Sequence, residues 1–134
     1  KSFLYSSPPK DFNSAANTFF NGAIMVDTAL KPESLLFVLK SIEKNLGRNK
    51  YKKNSSRTCD LDILLMRPEL VQSREKNNVK CILPHPRIHE REFVLKPMMD
   101  ICSNWIHPEL NQRIYDVYRS SYSGEKLYKI AKKL

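Results

Sequence analysis

At 134 residues the chain is long enough for one domain with a hydrophobic core, 1–134, and too short for two comfortable ones. Its 23 lysines and arginines against 14 aspartates and glutamates give a formal charge of +9, which favours an anionic partner such as a nucleotide, a nucleic acid or an acidic membrane surface without choosing among them. No apolar run approaches the roughly 20 residues that span a bilayer, and Cys59, Cys81 and Cys102 are scattered without C-x-x-C spacing, which argues against a disulfide framework or a zinc site and for a reducing compartment rather than a secreted protein.

In chain order, Ser2, Phe3, Leu4 and Tyr5 have strand composition and run into Pro8 and Pro9, which lack backbone donors and force an extended turn. The polar stretch 10–18 reads as a mobile loop, and 20–28 as a largely buried strand with Asn21 at its start. Pro32 suits a helix's first turn. Leu35, Leu36, Leu39, Ile42 and Leu46 then recur at three- and four-residue steps, and Gly47 marks the stop. The basic stretch 48–56 ends in Asn54-Ser55-Ser56, a turn into a strand starting near Cys59.

Beyond a surface excursion around 68–76, Cys81-Ile82-Leu83 reads as a short extended piece, and Pro84 and Pro86 prevent regular helix around His85. A helix beginning near Glu90 is expected to bury Phe93, Val94 and Leu95 before Pro97. Trp105 and Ile106 read as core anchors, 111–118 as an amphipathic helix, and 125–134 as either a helix or a lead into another domain. The alternation of strands and helices, without an all-parallel pattern or a glycine-rich P-loop, predicts an α+β sheet covered by helices, with the topology left open.

The chemistry concentrates in R-T-C-D-L-D-I-L at 57–64. On a strand, side chains two apart share a face, so Asp60 and Asp62 point one way and Leu61 and Ile63 the other. Two carboxylates on one face supply the protein's share of a magnesium site, whose other ligands are waters and substrate phosphates. An isolated D-x-D can equally be an acidic pair at a turn. His85 and His89 lie four apart, but the intervening proline spoils the helix a metal-binding pair would need. The chain also lacks the aromatic octapeptide or G-x-x-G clamp of common nucleic-acid modules, so neither nucleic acid nor membrane is expected as a partner.

Taken with L-P-H-P-R at 83–87 and R-E-F-V-L-K-P at 91–97, the run at 57–64 resembles the signature of 6-hydroxymethyl-7,8-dihydropterin pyrophosphokinase, a folate-pathway enzyme. The resemblance implies a ferredoxin-like, mainly antiparallel sheet with helices packed on it. It also implies transfer of pyrophosphate from MgATP to the dihydropterin, with two magnesium ions held by Asp60 and Asp62. By the same likeness, Arg48 and Arg57 belong to a catalytic loop, while Ile63, Lys80, His85 and Arg91 serve ATP. Ser7, Pro8, Phe19, Asn21 and Phe93 serve the pterin.

Phe19 falls where many relatives carry Tyr, and Lys80 and Ile82 fall where some carry Arg and Thr, which shifts expected adenine recognition towards the main chain near Ile63 and Lys80. Relatives open on a strand, a Gly-Ser/Thr-Asn turn and a helix that this sequence is expected to lack, leaving the sheet one strand short. Eukaryotic relatives join the activity to dihydropteroate synthase or dihydroneopterin aldolase, so a fused synthase domain and a cytoplasmic or mitochondrial setting are the matching expectations.

Overall fold

The computed structural model describes residues 1–7, 18–47, 59–67, 81–122, 124 and 127–134. They fall into two compact units, 1–27 with 87–134, and 28–86.

The first unit is built on a three-stranded antiparallel sheet in the order β2-β1-β5, with β1 at Phe3–Ser7, β2 at Phe19–Asn21 and β5 at Tyr128–Lys133. Tyr5 pairs with Asn21 on one side and Lys129 on the other. Ser2 extends the pairing, its N–H donating to the Ala23 carbonyl at 2.9 Å and its carbonyl accepting from Leu134 N–H at 3.2 Å. The C-terminal stretch is therefore a strand, because β1 is an interior strand and offers its second edge to 128–133.

The expected strand at 20–28 is shorter and less buried than its apolar composition suggests. Only 19–21 pair in the ladder, Asn21 lies at its end, and Ile24, Met25 and Val26 are each 58% exposed. Gly22 follows directly, where a Cβ would run into the Leu134 side chain.

Alternation along β1 sends Phe3, Tyr5 and Ser7 to one face. That face meets α2, Glu92–Cys102. Asp100 of α2 accepts from Phe3 N–H at 2.9 Å and from the Tyr5 hydroxyl at 3.0 Å. Leu95 and Met98, three apart, are buried. Pro97 sits inside α2 rather than ending it. The lost backbone bond, a cost of about 3 kcal/mol in an exposed helix, is offset here because the ring is buried with Leu95 and Met98. Of the three residues expected in that helix's core, Leu95 is fully buried while Phe93 and Val94 are half-buried.

After α2 a hairpin pairs β3, Ile106–His107, with β4, Gln112–Arg113, and leads into α3, Ile114–Ser120. Asn111 turns it with φ of 51°, a conformation asparagine tolerates. The helix starts at Ile114, since Asn111 belongs to the turn. Two of the first donors of α3, Ile114 and Tyr115 N–H, reach the Trp105 and Ser103 carbonyls at 2.9 Å each. Trp105 and Ile106 are exposed, not core anchors. Successive strand residues face opposite ways, and His107 takes the inner position. Its Nδ1 accepts from Glu109 and Leu110 N–H, and burial pushes its pKa down.

The second unit is organised by α1, Pro32–Asn45, with Pro32 in its first turn and Gly47 at φ of 92° just past its end, as the sequence indicates. Its inner face differs from the apolar stripe. Leu36 and Leu39 are half-buried, Ile42 and Leu46 are exposed, and Glu43 is 1% exposed. The Glu43 carboxylate accepts from Leu61 N–H at 2.7 Å and from Lys40 Nζ at 2.6 Å. The stretch 59–67 is thus held to α1 by a side chain. It forms no ladder among the described residues, so the expected strand there is not observed. Leu64 accepts from His85 N–H at 2.8 Å, which ties in the stretch around Pro84.

Two stability predictions follow from these contacts. Tyr5→Phe removes a donor from Asp100 and is expected to lower the unfolding free energy by about 1 kcal/mol in urea melts at pH 8. Burial, then the Asp100 hydrogen bond and charge, push the Tyr5 pKa from 10.0 to about 12. The stability this confers is complete below pH 10 and lost as pH rises towards 12, so the difference between wild type and Tyr5→Phe should shrink across that window. Glu43→Ala should cost about 2 kcal/mol, and Glu43→Gln, which keeps an acceptor for Leu61 N–H, distinctly less. Equal losses would locate the effect in the charge instead of the hydrogen bond.

Candidate active site

In the second unit the Lys40 ammonium is the centre of a charged cluster. Besides Glu43, it donates to the Leu61 carbonyl at 3.0 Å and lies 3.9 Å from Asp60 Oδ1 and 3.8 Å from Asp62 Oδ1. Asp60 and Asp62 therefore turn to the same side, with Leu61 and Ile63 half-buried between and beyond them. The two aspartate side chains are 41% and 42% exposed. They are reachable from solvent while the backbone between them is fixed to Glu43. His85 is half-buried in the same unit and bonded through its backbone to Leu64.

Two carboxylates already sharing one cation have the donor chemistry of a magnesium site completed by phosphate and water oxygens. No cluster of three or more metal-ligating side chains occurs among the described residues. The pair thus suits a cation brought in with a phosphate ligand better than a closed structural site.

In the first unit three of the five expected pterin residues, Ser7, Phe19 and Asn21, lie on the β1–β2 pair. Ser7 stands opposite Phe19 in the register, and the Asn21 side-chain amide donates to Ser7 Oγ at 3.2 Å. Phe19 is 57% exposed, leaving its ring available for stacking. At the start of α2 the Arg91 guanidinium lies 5.9 Å from the Phe93 ring centroid, which sets a cation beside an aromatic face. Pro8, Arg48, Arg57 and Lys80 lie outside the described residues.

Sequence reasoning missed Lys40 and Glu43, the two side chains that organise the aspartates. Their signal was the K-x-x-E spacing in α1, with Glu43 four residues from Leu39 and seven from Leu36 on the inner face. Asp100 was missed too, because a carboxylate that caps a strand edge from a helix has no local sequence mark.

Residues 1–103 match the sequence model of the family described as 7,8-dihydro-6-hydroxymethylpterin-pyrophosphokinase (HPPK). The chain is 43% identical over 107 residues to the folic acid synthesis protein fol1 of Pneumocystis carinii, covering 80% of this chain and 14% of that protein. It is 39% identical over 101 residues to the 2-amino-4-hydroxy-6-hydroxymethyldihydropteridine pyrophosphokinase of Bacillus subtilis, covering 75% of this chain and 57% of the relative. The protein of the same name from Porphyromonas gingivalis is 37% identical over 112 residues, covering 79% of this chain and 70% of the relative. The family match takes in Asp60, Asp62, His85, Arg91 and Phe93 together, and with it the chain belongs to the 7,8-dihydro-6-hydroxymethylpterin-pyrophosphokinase family.

Proposed function

We propose that residues 1–134 act as one pyrophosphokinase domain. It transfers the β,γ-pyrophosphoryl group of ATP to the hydroxymethyl oxygen of 6-hydroxymethyl-7,8-dihydropterin and yields AMP and the pterin diphosphate for folate biosynthesis. The observation that carries this reading is the family match over 1–103, and the approach of both Asp60 and Asp62 to the Lys40 ammonium supports it. In the reaction the pterin oxygen bonds to the β-phosphorus, the bond from that phosphorus to the AMP oxygen breaks, and the hydroxyl proton is released. Such a step needs in-line positioning and charge screening rather than a protein nucleophile.

Asp60 and Asp62 would hold magnesium, two ions in the full complex. When bound, magnesium orients the triphosphate and offsets charge on the departing AMP oxygen. Glu43 fixes the Leu61 peptide and so keeps the two carboxylates side by side. His85 and Arg91 bind the nucleotide phosphates, and the main chain at Ile63, with Lys80, receives adenine. Arg48 and Arg57 supply guanidinium forks to the phosphates, matched to paired oxygens.

Phe93 and Phe19 stack on the pterin, Asn21 reads its mixed donor and acceptor edge, and Ser7 and Pro8 line the approach. Ser7 Oγ already orients the Asn21 amide. A fused dihydropteroate synthase is the neighbour we propose, in keeping with the chain's 14% share of the fol1 relative. Three free thiols suit a cytoplasmic or mitochondrial setting, and among the described residues no helix is long and apolar enough to cross a membrane.

Incubation with magnesium, ATP and the dihydropterin, followed by chromatographic separation of nucleotides, should give pterin-dependent AMP. ADP would overturn the mechanism. Asp62→Ala should lower turnover at least ~100-fold while leaving the thermal midpoint near that of wild type, and a retained rate would remove the aspartate from the metal site. Phe93→Ala should weaken pterin binding by about 1–3 kcal/mol in calorimetry with little change for a nucleotide analogue. Equal losses for both ligands would count against the stacking wall.

A further inference from the structure

We infer that Lys40 is a positioning residue that holds the place of the metal between Asp60 and Asp62, and that its charge makes metal loading depend on the arrival of the triphosphate. The inference rests on the proposed reading of the two aspartates as metal ligands.

Three features of the geometry carry it. The ammonium is anchored, with Glu43 Oε1 at 2.6 Å and the Leu61 carbonyl at 3.0 Å. It is also centred, standing 3.9 Å from one aspartate oxygen and 3.8 Å from the other. Finally, Glu43 is 1% exposed whereas Lys40 is 41% exposed. The anion of that pair is fixed in the fold, and the cation has room to swing away.

Lys40 therefore does two things to the carboxylate pair. It offsets the repulsion that would otherwise drive Asp60 and Asp62 apart, and it occupies the centre of their field. Magnesium binds carboxylate oxygen at about 2.1 Å, so a metal shared by both oxygens must come within about 6 Å of the ammonium unless Lys40 moves. Repulsion between a divalent ion and an ammonium at that separation amounts to several-fold in affinity even in water-like surroundings. Triphosphate oxygens supply the countercharge for both cations at once. Metal is thus taken up weakly alone and strongly with nucleotide.

The test measures Mn2+ affinity by electron paramagnetic resonance on the full chain, with and without an ATP analogue carrying a non-cleavable methylene between the α and β phosphorus. Lys40→Met should tighten Mn2+ binding about 3- to 10-fold without nucleotide, with a smaller gain when the analogue is present. Lys40→Arg, which keeps the charge, should bind as wild type does. Unchanged or weaker binding by Lys40→Met overturns the inference, as does equal tightening in both charged and neutral variants.

Asp62→Ala separates the two levels of the reading. If it binds Mn2+ as wild type does, the metal assignment itself fails. If it loses the metal while Lys40→Met gains nothing, only the role of Lys40 fails. Should Lys40→Met not fold, acylation of Lys40 in the native chain, read by mass spectrometry, replaces it. Saturating Mg2+ together with the analogue should raise Lys40 reactivity at least 3-fold if metal releases the ammonium, and unaltered reactivity overturns the inference.

Discussion

A single buried carboxylate governs the acidic end of this protein. Glu43 accepts the Leu61 N–H and the Lys40 ammonium on the same oxygen, Oε1. A charged group this far from water is tolerated only when paired and hydrogen-bonded, and both conditions are met by groups that belong to the candidate metal site. The stretch 59–67 has no strand partner among the described residues that would hold it by a backbone ladder. Its geometry is transmitted from α1 through Glu43 on the Leu61 N–H and Lys40 on the Leu61 carbonyl, with the Leu64 to His85 bond as a further tie.

The first unit uses the same device in another setting. Asp100 reaches from α2 to the Phe3 N–H and the Tyr5 hydroxyl, so an acidic group on a helix again fixes an extended segment, here β1. Ser7 is two residues beyond Tyr5 on the same face of β1 and bonds Asn21. The Asn21 amide, proposed to meet the pterin, is thereby connected through one strand to the helix that carries Phe93, next to Arg91. Displacing Asp100 would disturb positioning more than chemistry.

Much of this was legible from residue order. The proline that opens α1, the glycine after it and the three- and four-residue repeat mark that helix within a residue or two, since start and stop signals are local. The side shared by Asp60 and Asp62 was expected from strand spacing, and it holds although no strand is observed there. What escaped is non-local. Apolar composition at 20–28 could not reveal that the ladder with β1 takes in 19–21 and goes no further along that stretch. Nor could the terminal lysines reveal that β1 has a second edge for 128–133 to fill. Pro97 reads as a helix breaker until its burial is known, and Trp105 reads as core until the hairpin register puts His107 inside instead.

The contrast in burial between Glu43 and the aspartates also explains how one short segment can be rigid and reactive. A carboxylate meant to hold backbone gains from exclusion of water, because its hydrogen bonds strengthen as the local dielectric falls. A carboxylate meant to exchange one cation for another must stay hydrated enough for both to come and go, and magnesium gives up its waters reluctantly. Under the proposed metal role the two demands fall on different residues: Glu43 at 1% exposure and the aspartates at 41% and 42%. Lys40 lies within 4 Å of all three carboxylates, so the cation we infer to be exchangeable at the aspartates is also the partner of the buried Glu43.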